Sequence, residues 1–365
     1  MVHRWAQERV KPIAAQVDRE NVFPADLWRE MGELGLLGIT VPEEYGGTGA
    51  GYVSYGLVAR EVERVDSGYR SMMSVQASLV MHPINAYGSE EQRRKYLPKL
   101  CSGEHVGALA MSEEGAGSDV VGMKLRADKR NGYYVLNGSK YWITNGPDAD
   151  TLIVYAKTDP EAGSKGITAF IVDKGAPGLD DSAHIHVMAP HPLATLRFTD
   201  CRIPASALLG ETGQGFKVAM SVLDVFRATV AAAALGFARR ALDEALARVM
   251  TRQIAGSPLA DLQMVQGHIA EMAVDVDASA LLVYRAAWTR DSGAPRITRE
   301  AAMAKLFATD RAQEVIDKAV QLHGADGVRS GHAVETLYRE IRALRIYEGA
   351  SDVQKVVIAR QTLGG

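Results

Sequence analysis

Tyr-Tyr-Val-Leu-Asn-Gly-Ser-Lys-Tyr-Trp-Ile-Thr, residues 133–144, decides the fold class of this 365-residue chain. Two runs of aromatic, aliphatic and β-branched residues, 133–136 and 141–144, flank the dipeptide Asn137-Gly138, a pattern typical of a β-hairpin. Further β-rich runs follow at 151–158, 167–173 and 195–203. We therefore predict a compact middle β domain over residues 105–210.

Helical periodicity flanks this β region on both sides. Before it, apolar residues recur at helical spacing in two series, which are Leu27, Met31, Leu34 and Leu37, and then Val58, Val62 and Val65. A charged helix is predicted over 90–100. After it, an apolar stripe predicts one long amphipathic helix: Leu262, Val265, Ile269, Met272 and Val276. Residues 296–322 and 334–363 also read as helices. The order helix, β, helix predicts an α+β fold, with an N-terminal helical domain (1–104) and a C-terminal four-helix-bundle domain (211–365).

Composition excludes several classes of protein. A formal net charge of -3 with 47% apolar residues is typical of a soluble globular chain, and nothing favours a nucleic-acid or membrane partner. Cys101 and Cys201 are far apart and lack a Cys/His cluster, so we expect no disulfide framework, no metal site and a reducing, cytoplasmic compartment. The N-terminus has no apolar signal core, and the apolar run 229–238 is too short to cross a bilayer.

Two segments could hold a ligand. The small-residue loop 111–119 would let backbone N–H groups approach an anionic or carbonyl-rich group closely. No third glycine or βαβ unit supports a Rossmann motif, and an ordinary turn is the alternative. Trp142 beside Thr144 could stack on and hydrogen-bond to a planar heterocycle, although a core tryptophan is the alternative.

A third segment carries a candidate base. Glu348 precedes Gly349 in an otherwise apolar stretch, where a desolvated carboxylate would have a raised pKa and could abstract a proton. A helix-capping or solvated glutamate is the alternative explanation.

Taken together and in this order, the motifs resemble the acyl-CoA dehydrogenase family over nearly the whole chain. The matching segments are 113–119, 142–145, an altered Arg-x-x-Phe-Gly at 252–256, a Gln-x-x-Gly-Gly-x-Gly element at 321–327 and a Tyr-Glu-Gly-Thr-Ser element at 347–351. The resemblance implies an FAD-dependent oxidoreductase that removes an α-proton and a β-hydride from an acyl-CoA thioester. It also implies an electron-transferring flavoprotein as acceptor and a homotetramer assembled as a dimer of dimers.

Residue roles follow from the same resemblance. The FAD-binding residues that it implies are Met111, Ser112, Ser118, Trp142, Ile143, Thr144, Arg252, Gln263, Gln321, Gly324, Ala325 and Ala350. Within this set, Thr144 is expected near the flavin N5, and Arg252 on the FAD pyrophosphate or adenosine of a neighbouring subunit. The implied base is Glu348, because Phe226 occupies the position of the alternative family carboxylate. The implied substrate-binding residues are Glu63, Arg70, Ser71, Ser118, Asp224, Arg227, Tyr347 and Gly349.

A narrower resemblance covers residues 55–100, which are most similar to glutaryl-CoA dehydrogenase. There Arg70 would grip a distal carboxylate, with Glu63 two helical turns earlier on the same face; a surface pair of Asp66 and Arg70 is the alternative. We therefore predict a dicarboxylic monothioester such as glutaryl-CoA, with Tyr347 and Glu63 as candidates for controlling a subsequent decarboxylation. The alternatives are a short- or branched-chain acyl-CoA dehydrogenase and a non-catalytic FAD-binding member.

Several positions depart from the family pattern. Ala255 replaces a Phe, Ala325 replaces a Gly, and Glu114 stands where Pro is common. The Lys-x-Gly-x-Arg-Ala-Ser segment is not recognisable in 184–195, and the first family helix is expected to be incomplete. These departures bear more on substrate choice than on flavin binding.

Overall fold

The computed structural model describes residues 1–364, apart from the side chain of Val225. These residues form two compact units. The helical unit contains residues 1–20, 51–70 and the chain from 224 onward, and the sheet unit contains residues 21–50 and 71–223. The predicted α+β class is confirmed, with the sheet between two helical stretches of sequence.

The sheet unit is built on eight strands. They are β1 Gly107–Ala110, β2 Arg126–Arg130, β3 Tyr133–Thr144, β4 Thr151–Lys157, β5 Ile167–Asp173, β6 Leu179–Ile185, β7 Leu193–Pro204 and β8 Leu208–Leu209. The order is β6-β7-β3-β2-β4-β5-β8, and β1 pairs in parallel with β4. Tyr134 and Phe170 meet edge to face in the core, with ring centroids 4.8 Å apart.

The hairpin predicted around Asn137-Gly138 is wrong. Residues 133–144 form one continuous strand, and the dipeptide lies at a register shift in its pairing with β7. Asn137 is held there because its side chain exchanges hydrogen bonds with Asp200, at 2.8 and 3.2 Å. The tight turn occurs earlier, at Asn131-Gly132 between β2 and β3, where Gly132 has φ 82°.

The helices follow the sequence pattern with one important exception. They are α1 Val2–Trp5, α2 Lys11–Glu20, α3 Ala25–Glu33, α4 Tyr52–Glu63, α5 Ser67–Ser74, α6 His82–Tyr87, α7 Glu90–Cys101, α8 Gly215–Thr251, α9 Gln263–Asp291, α10 Thr298–His323, α11 Ala333–Leu344 and α12 Ser351–Thr362. The predicted helix 90–100 is confirmed and begins with a capping box formed by Ser89 and Gln92. The exception is 334–363, which divides into α11 and α12 at the segment that carries Glu348.

Only part of the stripe predicted on α9 is buried in the helical unit, because Leu262 is 43% exposed and lies just before the helix, and Ile269 is half-buried. Val265, Met272 and Val276 are buried, and α9 packs against α10 and α4. A different face of α9 leaves Leu281 and Trp288 more than 60% exposed. The buried part of the stripe therefore builds the fold of one chain, and cannot serve as a surface for a second copy.

Helix α8 is long and apolar enough to cross a membrane by length and composition alone. The apolar run 229–238 indicates a segment too short to cross a bilayer, but the helix extends over Gly215–Thr251. Its most apolar window is 82% buried within the fold, which is the environment of a core helix.

A buried ion pair orders the sheet unit beside the loop 111–119. The Lys140 ammonium donates to Glu113 Oε1 and to the carbonyl oxygen of Met111, both at 2.9 Å. Glu113 also accepts backbone N–H bonds from Lys124 and Leu125. Burial lowers the pKa of Lys140 to about 8, although Glu113 acts in the opposite direction.

The lowered pKa of Lys140 should make the free energy of unfolding depend on pH. Between about pH 8 and pH 10 the folded chain has released the Lys140 proton while the unfolded chain, with an ordinary lysine pKa of 10.5, retains it. The free energy of unfolding should therefore rise with pH in this window, by up to about 1.4 kcal/mol per pH unit. Urea denaturation of Lys140→Met should show a shallower rise, whereas Lys129→Met, at an exposed position, should keep the parent slope. Equal slopes in both variants would contradict this assignment.

Candidate functional site

The segment between α11 and α12 presents the candidate base in an irregular turn. Glu348 has φ 54° and Gly349 has φ 91°, a left-handed pair that breaks the helical periodicity of 334–363. A Cβ at position 349 would collide with the side-chain nitrogen of Gln354. Glycine is therefore required by both the backbone conformation and the close approach.

Two buried side chains hold this turn. The Lys305 ammonium and the Gln354 amide each donate to the carbonyl oxygen of Gly349, both at 2.8 Å. Both side chains are completely buried. The two lone pairs of the carbonyl oxygen are thus both engaged, which fixes the orientation of the residue immediately before it.

Glu348 has the environment of a desolvated base. Its Oε2 is shielded from solvent and has no hydrogen-bond partner among residues 1–364, although the residue as a whole keeps some exposure. Burial raises the pKa of Glu348 to about 7, against the opposing influence of Arg70, Lys305 and Arg227. A solvated or helix-capping glutamate would have neither property, so those alternatives are wrong.

Arg70 and Glu63 form a buried pair next to Tyr347. Both side chains are at most 1% exposed, and Arg70 Nε and Nη2 donate to the Glu63 carboxylate. Arg70 Nη2 also donates to the Tyr347 hydroxyl at 2.6 Å. Burial alone would lower the pKa of Arg70, but the Glu63 charge raises it above its usual range. Because Arg70 is buried, the surface-pair alternative is excluded.

The start of the helical unit's part of α8 supplies a second buried guanidinium. Arg227 is buried, and its Nε has no partner within the described chain. Burial lowers its pKa, while Asp224 and Glu348 act to raise it. Asp224 itself is paired with Arg296 at 3.5 Å. Phe226 is fully buried and packs against Tyr52 and Tyr55 with centroids 6.0 and 6.1 Å away.

The residues expected on the FAD pyrophosphate and adenosine lie at the surface of the helical unit. Those that are exposed are Arg252, Gln263, Gln321, Gly324 and Ala325, and Ala350 is partly exposed. The departure at Ala255 falls in the two-residue turn of a short hairpin, with φ 48° at Ala255 and 87° at Gly256. Ala255 has a positive φ, a strained conformation for any residue other than glycine. The small alanine side chain is easier to accommodate there than a phenylalanine side chain.

In the sheet unit, Trp142 lies at the surface and not in the core. Its side chain is 54% exposed and its backbone has φ 63°, so the core-tryptophan alternative is wrong. Thr144 is half-buried, but Ile143 is 1% exposed and packs in the sheet core. The Ile143 side chain is therefore unavailable to a cofactor, and only its backbone can contribute.

The loop 111–119 is open on the ligand side and anchored behind. Met111 and Ser112 are half-buried, while Ser118 is exposed; Ser71, the first residue of the second segment of the sheet unit, is buried. The Tyr141 N–H donates to the Ser112 carbonyl oxygen at 2.8 Å, which ties the loop to β3. The exposed indole and the open loop fit a planar flavin ring.

The unmatched segment 184–195 forms the end of β6, a loop and the start of β7. Its Pro192 carbonyl oxygen accepts the Asn145 N–H at 2.8 Å. Asn145 is buried and also donates to the Gly107 carbonyl oxygen. The segment thus supports the strand end that carries Trp142, despite lacking the family sequence.

Sequence reasoning missed the buried residues behind both segments, namely Lys305, Gln354, Glu113 and Lys140. A usable signal existed for Lys305, which stands alone in the apolar run Ala-Ala-Met-Ala-Lys-Leu-Phe, residues 301–307. A lysine on the buried face of an apolar helix needs a specific partner.

Comparison with known proteins agrees with these features. Three family models match the chain: the acyl-CoA dehydrogenase N-terminal domain over residues 1–104, the middle domain over 108–201 and the C-terminal domain over 213–363. The mitochondrial isovaleryl-CoA dehydrogenase of Oryza sativa subsp. japonica is 42% identical over 99% of this chain and 89% of the relative.

Solved structures give the same result. A chain from the structure of the electron transferring flavoprotein of Acidaminococcus fermentans has a TM-score of 0.97 at 39% identity, covering 100% of this chain and 96% of that one. The glutaryl-coenzyme A dehydrogenase complex with glutaryl-CoA has a TM-score of 0.96 at 35% identity, covering 100% of this chain and 93% of that one. The chain belongs to the acyl-CoA dehydrogenase family of FAD-dependent oxidoreductases.

Proposed function

We propose that this chain desaturates the Cα–Cβ bond of an acyl-CoA thioester, with Glu348 as the base. The observation that carries the proposal is the buried, unpartnered Oε2 of Glu348 in a rigid left-handed turn. A carboxylate without hydrogen bonds or hydration is a stronger base than one in water. Its pKa of about 7 makes it available as a base at neutral pH.

Proton removal and cofactor binding are assigned to different residues. Glu348 takes the α-proton, and the electron pair left on the substrate develops negative charge on the thioester oxygen. Bound FAD supplies the oxidant that accepts the β-hydride. Trp142, Thr144 and the loop 111–119 are proposed to hold the flavin ring, while Arg252, Gln263 and Gln321 hold the distant diphosphate and adenosine, where the guanidinium fork suits phosphate oxygens.

Replacing Glu348 by Gln should abolish the base while preserving the turn. We expect the rate of flavin reduction by an acyl-CoA to fall by about 10²–10⁴-fold, with FAD binding retained. In the parent protein the same rate should rise with pH through about 7, as Glu348 loses its proton. Stopped-flow bleaching of the flavin absorbance measures both effects.

Asp352→Asn is the matched control, because Asp352 lies on α12 close in sequence to Glu348 but is exposed and pairs with Lys355 at the surface. Its reduction rate should equal that of the parent. Parent-like reduction by Glu348→Gln would show that another group is the base.

We further propose a dicarboxylic thioester, glutaryl-CoA first, as substrate. The support is the Arg70 guanidinium, which is buried immediately beside the residue that precedes the base. Because the Tyr347 oxygen accepts its bond from Arg70, the Tyr347 hydroxyl proton can be donated to a second carboxylate. A buried carboxylate needs such charge-assisted partners to offset lost hydration.

A short- or branched-chain acyl-CoA is the second candidate. It is favoured by the fact that Glu63 already neutralises Arg70, which lowers the penalty for an alkyl chain beside this pair. The 42% identity to an isovaleryl-CoA dehydrogenase supports the same alternative.

A double variant separates the two candidates. Arg70→Gln alone would leave the Glu63 carboxylate buried without its partner and could unfold the chain; Glu63→Gln with Arg70→Gln removes both charges together. The double variant should lose about a hundredfold or more of kcat/KM for glutaryl-CoA, while butyryl-CoA turnover changes little. Similar losses on both thioesters would favour the second candidate, and release of CO2 from glutaryl-CoA would identify a decarboxylating enzyme.

The proposed partners are an electron-transferring flavoprotein and further copies of this chain, as a dimer of dimers. Exposed Leu281 and Trp288 on α9 support a second copy at this face, because they lie seven residues apart on one side of the helix and an exposed apolar patch is typical of an interaction surface. Cys101 and Cys201 are buried free thiols, which supports a reducing cytoplasm.

Leu281→Glu should disrupt the assembly. A charge placed at an apolar interface loses its hydration without a partner, so sedimentation velocity should show smaller species that release FAD. Val22→Glu, at an equally exposed aliphatic residue of the sheet unit, should sediment like the parent. A monomer that retains FAD would contradict the proposed sharing of FAD between subunits.

A further inference from the structure

Lys305 is a buried cation in a place where a neutral residue would suffice for packing. It lies on α10 and is completely inaccessible to solvent. Burying an ammonium costs several kcal/mol unless it is compensated. Within the part of the chain that the structure describes, its Nζ makes one hydrogen bond, 2.8 Å long, to the Gly349 carbonyl oxygen.

That hydrogen bond does not by itself explain the charge. The same carbonyl oxygen already accepts a bond from the neutral amide of Gln354, also at 2.8 Å. A carbonyl with one good donor is satisfied, so a second, charged donor adds something else. The group that benefits is Glu348, which lies one residue before Gly349 and has an unpartnered oxygen.

We propose that Lys305 is a positioning residue for the reaction: its ammonium locks the Glu348–Gly349 turn and keeps the Glu348 carboxylate ionised in its buried site. This inference rests on the proposed role of Glu348 as base. The chemistry adds no covalent step, because Lys305 keeps its proton throughout and acts only through its charge and its hydrogen bond.

The surrounding charges are consistent with this role. Arg70 and Arg227 act on Glu348 together with Lys305, all three favouring the carboxylate. Burial lowers the pKa of Lys305 to about 8, with Arg227 and Arg345 lowering it and Glu348 and Asp310 raising it. Between about pH 7 and pH 8 Glu348 is therefore ionised while Lys305 is still charged.

The direct test is a titration of the Glu348 carboxyl carbon by ¹³C NMR in the holoenzyme and in the FAD-free protein, with Glu348→Gln to assign the signal. Lys305→Gln keeps a hydrogen-bond donor but loses the charge, and Lys305→Met loses both. Both variants should raise the pKa of Glu348 by about one pH unit or more. Lys318 lies on α10 like Lys305 but pairs with Glu271 of α9. Lys318→Met should therefore leave the pKa of Glu348 unchanged.

Kinetics separate the charge from the hydrogen bond. The acidic limb of flavin reduction should move to higher pH in both variants, while the high-pH plateau should stay near the parent value in Lys305→Gln and fall in Lys305→Met. If Lys305→Met does not fold, Lys305→Gln alone decides. An unchanged Glu348 pKa in a folded Lys305→Gln protein would overturn the proposal. Failure of the parent to reduce its flavin with any thioester would instead overturn the proposed function, because the NMR titration does not depend on turnover.

Discussion

The carbonyl oxygen of Gly349, held by Lys305 and Gln354, determines how the helical unit presents its chemistry. Residues 334–363 have the periodicity of one helix, and in a continuous helix Glu348 would be one more helical residue without the left-handed backbone that it has here. The left-handed turn interrupts it and leaves backbone carbonyls without helical partners. An unsatisfied buried carbonyl costs about 1–3 kcal/mol; the Gln354 amide on α12 removes this cost, and the Lys305 ammonium on α10 adds a second bond that holds the turn.

The sheet unit uses a similar arrangement. Lys140 donates to the Met111 carbonyl oxygen as Lys305 does to Gly349, and burial lowers the pKa of both lysines to about 8. The difference lies in their anions. Lys140 has the Glu113 carboxylate within hydrogen-bond distance, whereas Glu348 influences Lys305 only through space. Lys140 and Glu113 are therefore a hydrogen-bonded ion pair that orders a loop. Among the described residues Lys305 has no such bonded carboxylate, and its positive charge acts on Glu348 at a distance.

The sequence predicted most of the regular elements and proposed residues that would face a ligand. Continuous apolar runs and helical periodicity report which side chains are buried, so β4, β5, α7 and α9 could be recognised, and ordered motifs pointed to Glu348 and Trp142. The Asn137-Gly138 turn was wrong because a local preference was overruled by pairing with Asp200 across the sheet. The break before α12 was missed because its cause, a donor from Lys305, lies 44 residues away in sequence. Long-range polar contacts of this kind leave no periodic signal.

Charge balance in the helical unit bears on both catalysis and selectivity. Three guanidinium or ammonium groups act on Glu348, and one of them, Arg70, is neutralised by Glu63. If Glu348 is the base, as proposed, its negative charge would pass to the substrate while Arg227 and Lys305 stay fixed, so little reorganisation would accompany the transfer. The same fixed cations would favour a substrate with a second carboxylate. Under the proposed dicarboxylic substrate, selectivity would depend on whether Glu63 keeps its hydrogen bonds to Arg70 or shares that guanidinium with the substrate, which would make Glu63 as important to substrate choice as the arginine itself.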